Sequence, residues 1–187
     1  MIVFCESERS MTQDSPMSNL MFRGMALTLR LMERFRKPEE RLKRIGLAPG
    51  QAVLEYGCGA GSFTEPAARI VGREGHLYVA DIHPLALETV RKRLDRAGLA
   101  NVETILTERE TGLPDESVDA VLLYDTLHLV GDKQALLQEL HRVLRPEGFL
   151  SADHQHTDRQ AFLETVTGTG LFAVREAWDG VYNFARL

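Results

Sequence analysis

Apolar residues recur at Met21, Met25, Leu29, Met32 and Phe35, one stripe of a helix predicted over Leu20 to Arg36. Lys37 and Pro38 break it. A second, short helix is predicted from Pro38, with Glu39 and Glu40 in its first turn, Lys43 and Arg44 in its last, and Gly46 as its stop. Behind a polar, unpatterned stretch over residues 1 to 18, the two form an N-terminal helical cap. From Gln51 onward, short β-rich runs alternate with helical ones. Strands are predicted at Ala52 to Tyr56, Leu77 to Ala80, Val102 to Leu106, Ala120 to Tyr124 and Phe149 to Ala152. Helices are predicted at Phe63 to Val71, Pro84 to Ala97 and Lys133 to Leu144, with turns at Gly72 to Gly75 and Pro146 to Gly148. This alternation implies a doubly wound α/β fold with a parallel sheet and crossover helices. After a helix near Arg159 to Val166, LFAVREAW and VYNFARL flank Asp179-Gly180, the strongest short-range signal for an antiparallel hairpin. Seven strands follow, one of them reversed. Residues 1 to 46 are then the tail and cap, and 47 to 187 the main domain.

Chemistry concentrates in VLEYGCGAGSFTEP, residues 53 to 66, at the first strand-to-helix junction. Gly57, Gly59 and Gly61 permit a sharp turn and close approach of a ligand. Ser62 with Glu65 reads as a capping box, and Pro66 suits a first helical turn, so free N–H groups are expected at a helix N-terminus. A tight structural turn is the simpler alternative, made the poorer choice by position and context. Glu55, two residues before the first glycine, would repel a pyrophosphate but suits a ligand carrying an ammonium group. Asp81 ends the second strand in LYVAD, where a carboxylate can accept both ribose hydroxyls and disfavours a 2′-phosphate. It can also cap the helix ahead of Pro84. Glu108 lies just past the third strand, where an acceptor can take the exocyclic amine of adenine, although a solvated loop position explains it equally.

The chain holds 22 basic and 27 acidic residues, a net charge of −5, which disfavours nucleic acid as substrate. Residues 23 to 44 run against this balance, with eight basic and three acidic residues. Solvated helix faces explain that segment most simply. The sharper reading is a cap that captures an acidic small molecule through Arg30, Arg34 and Arg41. No apolar run reaches the ~18 residues of a spanning helix, and Glu6, Glu8 and Arg9 interrupt any signal peptide, so no membrane role and a cytoplasmic location are expected. Cys5 and Cys58 lack metal-ligand spacing. At 187 residues the chain suits one domain.

With EYGCGAG, the VAD strand end, ETGLPDESVDAVLLYDTLH and LHRVLRPEGFL in this order, the chain resembles class I S-adenosylmethionine-dependent methyltransferases. It is most similar to the small ones that act on molecules such as quinone precursors. The resemblance covers roughly Leu47 to Leu187. It implies a Rossmann-like doubly wound seven-stranded sheet, S-adenosyl-L-methionine as cofactor and a small-molecule acceptor. It further implies that Glu55, Gly57, Gly59 and Gly61 surround the methionine part and that Asp81 holds the ribose. Ile82 packs on adenine, and Glu108 or Arg109 lies at the adenine edge. The family more often has Asp at the position of Glu108.

Methyl transfer from a sulfonium is an in-line displacement that needs orientation and exclusion of water, with no metal and with a base only if the nucleophile must lose a proton. Residues after the fourth and fifth strands should face the acceptor: Tyr124, Asp125 and His128 in LLYDTLHLV, and Asp153, His154 and His156 in SADHQH. His128 is the candidate base, with Asp125 to orient it if a helical turn connects them. The simpler reading, that His128 caps or packs in this loop, outweighs it. The Asp153 to His156 cluster suggests a metal site, against which a solvated turn carries more weight. Cys58 is a small residue packed beneath the cofactor, not a nucleophile. Two alternatives stay open: an NAD-dependent oxidoreductase, against which Glu55, Gly61 and the reversed hairpin count, and a non-catalytic nucleoside-binding module. A homodimer is compatible with all of these.

Overall fold

The computed structural model describes residues 17–24 and 37–187. Its elements run α1 (Pro38–Arg44), β1 (Ala52–Tyr56), α2 (Thr64–Val71), β2 (His76–Asp81), α3 (Pro84–Ala97), β3 (Val102–Leu106) and β4 (Val118–Leu123). A 3-10 turn at Leu127–Leu129 leads to α4 (Lys133–Val143), β5 (Leu144–Asp153), α5 (Arg159–Thr167), β6 (Phe172–Trp178) and β7 (Val181–Arg186). Residues 19–24 are helical. The rest of the helix predicted over Leu20 to Arg36, with Met25, Leu29, Met32, Phe35, Arg30 and Arg34, lies outside the described residues, as does Cys5.

One seven-stranded sheet has the order β3-β2-β1-β4-β5-β7-β6. The first five strands pair in parallel, and β7 runs antiparallel to both its neighbours. The hairpin turns at Asp179 (φ 44°) and Gly180 (φ 78°), the two positive φ values of a type I′ turn, whose twist matches that of the flanking strands. This is the doubly wound sheet with a reversed hairpin that the sequence predicts.

Alternation along the central strands sends side chains to two cores. Val53 of β1, Val79 of β2 and Leu122 of β4 meet Ala67, Val71, Leu87 and Val90 of α2 and α3 on one face, and Leu42 of α1 joins them. Leu54, Val121 and Leu123 meet Leu136, Leu137 and Leu140 of α4, Phe162 of α5 and Phe184 of β7 on the other. Because both faces are covered, β4 reads VDAVLL, nearly all apolar. α1 is part of the first core, with Leu42 fully buried and Asn183 of β7 donating to Ile45 O at 3.1 Å.

Two local predictions change. The turn predicted at Pro146 to Gly148 is a bulge within β5, whose Leu144 faces Val118 while Phe149 faces Ala120. The predicted capping box does not form: α2 starts at Thr64, and its N-cap Phe63 has no side-chain cap bond. Glu65 pairs with Arg69 and Arg93, and the Thr64 hydroxyl turns to Glu55, whose buried carboxylate needs a donor. Among the described residues no helix is long and apolar enough to cross a membrane.

Candidate active site

The carboxyl ends of β1, β2, β4 and β5 converge on the glycine turn. Gly57, Gly59 and Gly61 have φ of 81°, 51° and 79°. At Gly57 the turn is also sterically closed: a Cβ would lie 2.1 Å from Thr126 Oγ1. The turn bonds to itself and to β2. Gly57 and Cys58 donate to Ala80 O, Gly59 donates to Asp81 Oδ2 at 2.9 Å, and Gly61 donates to Cys58 O. These four amides are therefore not the free anion-binding N–H groups expected at this junction, because a turn this tight satisfies its own donors.

Two carboxyl groups flank the turn. Glu55, on β1, is buried, and Thr64 Oγ1 donates to its Oε2 at 2.6 Å. Among the described residues no ion pair reaches it, and burial pushes its carboxyl up to about 8, with the neighbouring Asp81 adding to the rise. Asp81, on β2, accepts from His83 N at 2.8 Å and from Gly59 N, with Cys58 Sγ at 3.6 Å. Burial raises its carboxyl as well, against the pull of those backbone donors. The cap of α3 is not Asp81: His83 is the N-cap, its Nδ1 accepting from Leu85 N. His83, unmarked by the sequence reading, also bonds through Nε2 to Met17 O at 2.9 Å and stacks on Phe22 at 4.5 Å. Cys58 is buried beside Asp81, and burial pushes its thiol well up, which makes it a poor nucleophile.

Ile82 is half-buried beside Asp81. Glu108 is exposed; its carbonyl accepts from Tyr56 Oη at 3.0 Å. Arg109 reaches Asp132 at 3.4 Å. These loop side chains are held by few contacts.

On the β4–β5 side the arrangement differs from expectation. Tyr124 is buried, its hydroxyl 2.8 Å from Ser151 Oγ and its ring 4.6 Å from that of Phe63, so it offers a wall and not a free hydroxyl. Asp125 has φ 51° and donates its amide to Asp153 Oδ1 at 2.9 Å. Its carboxylate lies 3.7 Å from His156 Nε2, and the His156 ring packs 4.7 Å from that of His128. The contact expected between Asp125 and His128 is thus made to His156, since the left-handed residue turns the chain before the 3-10 turn begins. Desolvation and the adjacent His156 lower the pKa of His128, against the pull of Asp125. His154 turns away to the aromatic cluster of Phe162 and Tyr182. Among the described residues no group of three or more His, Cys, Asp or Glu side chains could hold a metal ion.

A residue that the sequence places in the helical cap completes this side. Arg41 of α1 donates to Asp153 Oδ2 at 3.2 Å, and its guanidinium lies 5.6 and 5.5 Å from the Phe63 and Tyr124 ring centres. Only its place in a basic segment pointed to it.

The sequence model of the family described as "Methyltransferase domain" matches residues 47–177. The chain belongs to this methyltransferase family. Residues of the ubiquinone/menaquinone biosynthesis C-methyltransferase UbiE of Vibrio vulnificus are 37% identical over 107 residues, 56% of this chain and 41% of that protein. An arsenite methyltransferase of Halobacterium salinarum is 36% identical over 103 residues, 54% of this chain and 26% of that one. The chain thus spans less than half the length of these curated relatives. A crystal structure of a SAM dependent methyltransferase from Aquifex aeolicus superposes with a TM-score of 0.76 at 24% identity, covering 90% of this chain and 97% of that one, and shares the fold. In this chain the glycine turn and both carboxyl groups lie inside the matched region, whereas Arg41 precedes it.

Proposed function

We propose that the protein transfers a methyl group from S-adenosylmethionine to a small-molecule acceptor. The reading rests on Glu55 and Asp81, two buried acids at adjacent strand ends on either side of a glycine turn. The site fits the cofactor. Glu55 is buried and, among the described residues, makes no ion pair, which suits the ammonium of a methionine group. Asp81 is fixed by two backbone donors and has further lone pairs for ribose hydroxyls. Ile82 lies where adenine would pack, and Gly59, beside which a Cβ would meet nothing, leaves room along the methionine part. When bound, the sulfonium supplies an already activated methyl group. What remains for the chain is orientation and dryness: Phe63 and Tyr124 wall the acceptor side, and Asp125, His128 and His156 border it. A proton leaving the acceptor would pass to His128, whose charged form desolvation and the adjacent His156 disfavour against the pull of Asp125.

The negative charge balance supports a small acceptor in place of nucleic acid, and the absence of a spanning helix among the described residues is compatible with a cytoplasmic site of action. Calorimetry with S-adenosylhomocysteine, S-adenosylmethionine and NAD tests the reading. Binding of the two sulfur nucleosides without NAD is expected. NAD binding alone would overturn it, and nucleoside binding without turnover across a wide acceptor panel would favour a binding module.

A further inference from the structure

The acceptor side of the site holds a cation whose donors, among the described residues, are largely unused. Lys37 pairs with Glu40, Lys43 with Glu39, and Arg44 with Asp179 while lying over Trp178, all at the surface. Of these four, Arg41 reaches the carboxyl ends of β4 and β5, at Tyr124 and Asp153. Its side chain is 18% exposed, and two aromatic faces and the buried Asp153 hold it in place. A guanidinium carries five N–H donors and stays charged at any relevant pH. Within the described residues, Arg41 gives one side-chain hydrogen bond, to Asp153.

Topology says which ligand group meets it. Asp81 ends β2, on one side of β1, whereas Tyr124 and Asp153 close β4 and β5 on the other. Phe63, beneath Arg41, is the second residue past Gly61, so Arg41 stands across the glycine turn from the ribose acid. Asp153 is not the recognition group: its oxygens already take Arg41 and the Asp125 amide. A fixed guanidinium offers donors only, in a planar fork whose two prongs match the two oxygens of a carboxylate. We propose that Arg41 is the specificity-determining residue of the acceptor pocket and that the acceptor presents an oxyanion to it. This rests on the methyltransferase reading above and adds the substrate class.

The test uses the full chain saturated with S-adenosylhomocysteine and titrated with benzoate and with benzamide, a pair that differs in charge but hardly in shape. Benzoate is expected to bind about tenfold more tightly than benzamide. Arg41→Gln should erase that preference while changing affinity for S-adenosylhomocysteine less than about twofold, and Arg41→Lys should keep part of it. Arg44→Gln, a surface control from the same helix, should keep all of it. If Arg41→Gln melts too early, Arg41→Lys decides, because a purely structural arginine would leave the benzoate preference of a folded lysine variant intact. No preference in the natural protein, or a preference that survives Arg41→Gln, overturns the inference while the cofactor reading stands. Failure of S-adenosylhomocysteine to bind overturns that reading and this inference with it.

Discussion

The β1–β2 side of the site and its β4–β5 side are built by different means. Glu55 and Asp81 are held by Thr64, Gly59 and His83, partners 9, 22 and 2 residues away in the chain, and two of these three contacts are backbone amides. The opposite side joins Arg41 to Asp153 across 112 residues, Asp125 to Asp153 across 28 and Tyr124 to Ser151 across 27. It does so mainly through side chains. Damage to the first side should therefore reach the cofactor, while damage to the second should leave cofactor binding in place.

The harshest test of the first side is Gly57→Ala. The new Cβ would collide with Thr126 at a φ that side chains rarely adopt, and a loss of about 3 kcal/mol with no detectable binding of S-adenosylhomocysteine is expected. Gly59→Ala has open space around its Cβ and should cost nearer 1 kcal/mol. Thermal melting and calorimetry on both variants check the ranking, and equal losses would show that the turn is not closed against Thr126.

Glu55→Gln follows in size and carries a pH signature. Burial holds the Glu55 carboxyl up to about 8 in the folded protein, against 4.5 when unfolded. Between those values the unfolded chain has released a proton that the folded one retains, so stability is lost as pH rises from about 4.5 to about 8. The glutamine variant, which cannot titrate, should lack that slope and at pH 8 be more stable than the natural ligand-free protein by roughly 3 kcal/mol. Its affinity for S-adenosylhomocysteine should fall. Urea unfolding across this pH range measures the first effect, and an unchanged slope would place the buried proton elsewhere.

On the second side, Asp153→Asn removes the charge that holds Arg41 and should cost about 1–3 kcal/mol, with affinity for S-adenosylhomocysteine altered less than about threefold. A collapse of cofactor binding would erase the distinction between the two sides. Smallest of all, Asp125→Gly relieves the φ of 51° but gives up the contact with His156, and a net change below about 1 kcal/mol is expected in the same melting experiment.

The parallel strands, their crossover helices and the Asp179-Gly180 hairpin were legible because period, glycine placement and turn type are local signals. The glycine turn and its two acids were legible for the same reason: Glu55, Gly57, Gly59, Gly61 and Asp81 occupy successive strand ends, and a strand end marks the ligand edge of such a sheet. The misjudged details turned on competing partners and on backbone conformation. Ser62 and Glu65 have the spacing of a capping box, but Phe63 is the N-cap of α2 and Glu65 found Arg69 and Arg93. Asp125 and His128 have helical spacing, but a positive φ sent Asp125 toward His156.

The amino-acid sequence by itself determined the doubly wound sheet, the reversed hairpin and the acids beside the glycine turn, since each depends on residues a short stretch of chain apart. Tertiary structure alone decided that Arg41 lies on Phe63 and Tyr124 against Asp153, that His156 and not His128 meets Asp125, and that the helix bearing Arg41 belongs to the core. Those contacts join segments whose separation carries no periodic signal. The shape of the packed core, with Leu42 sealed beneath α1, brings them within reach.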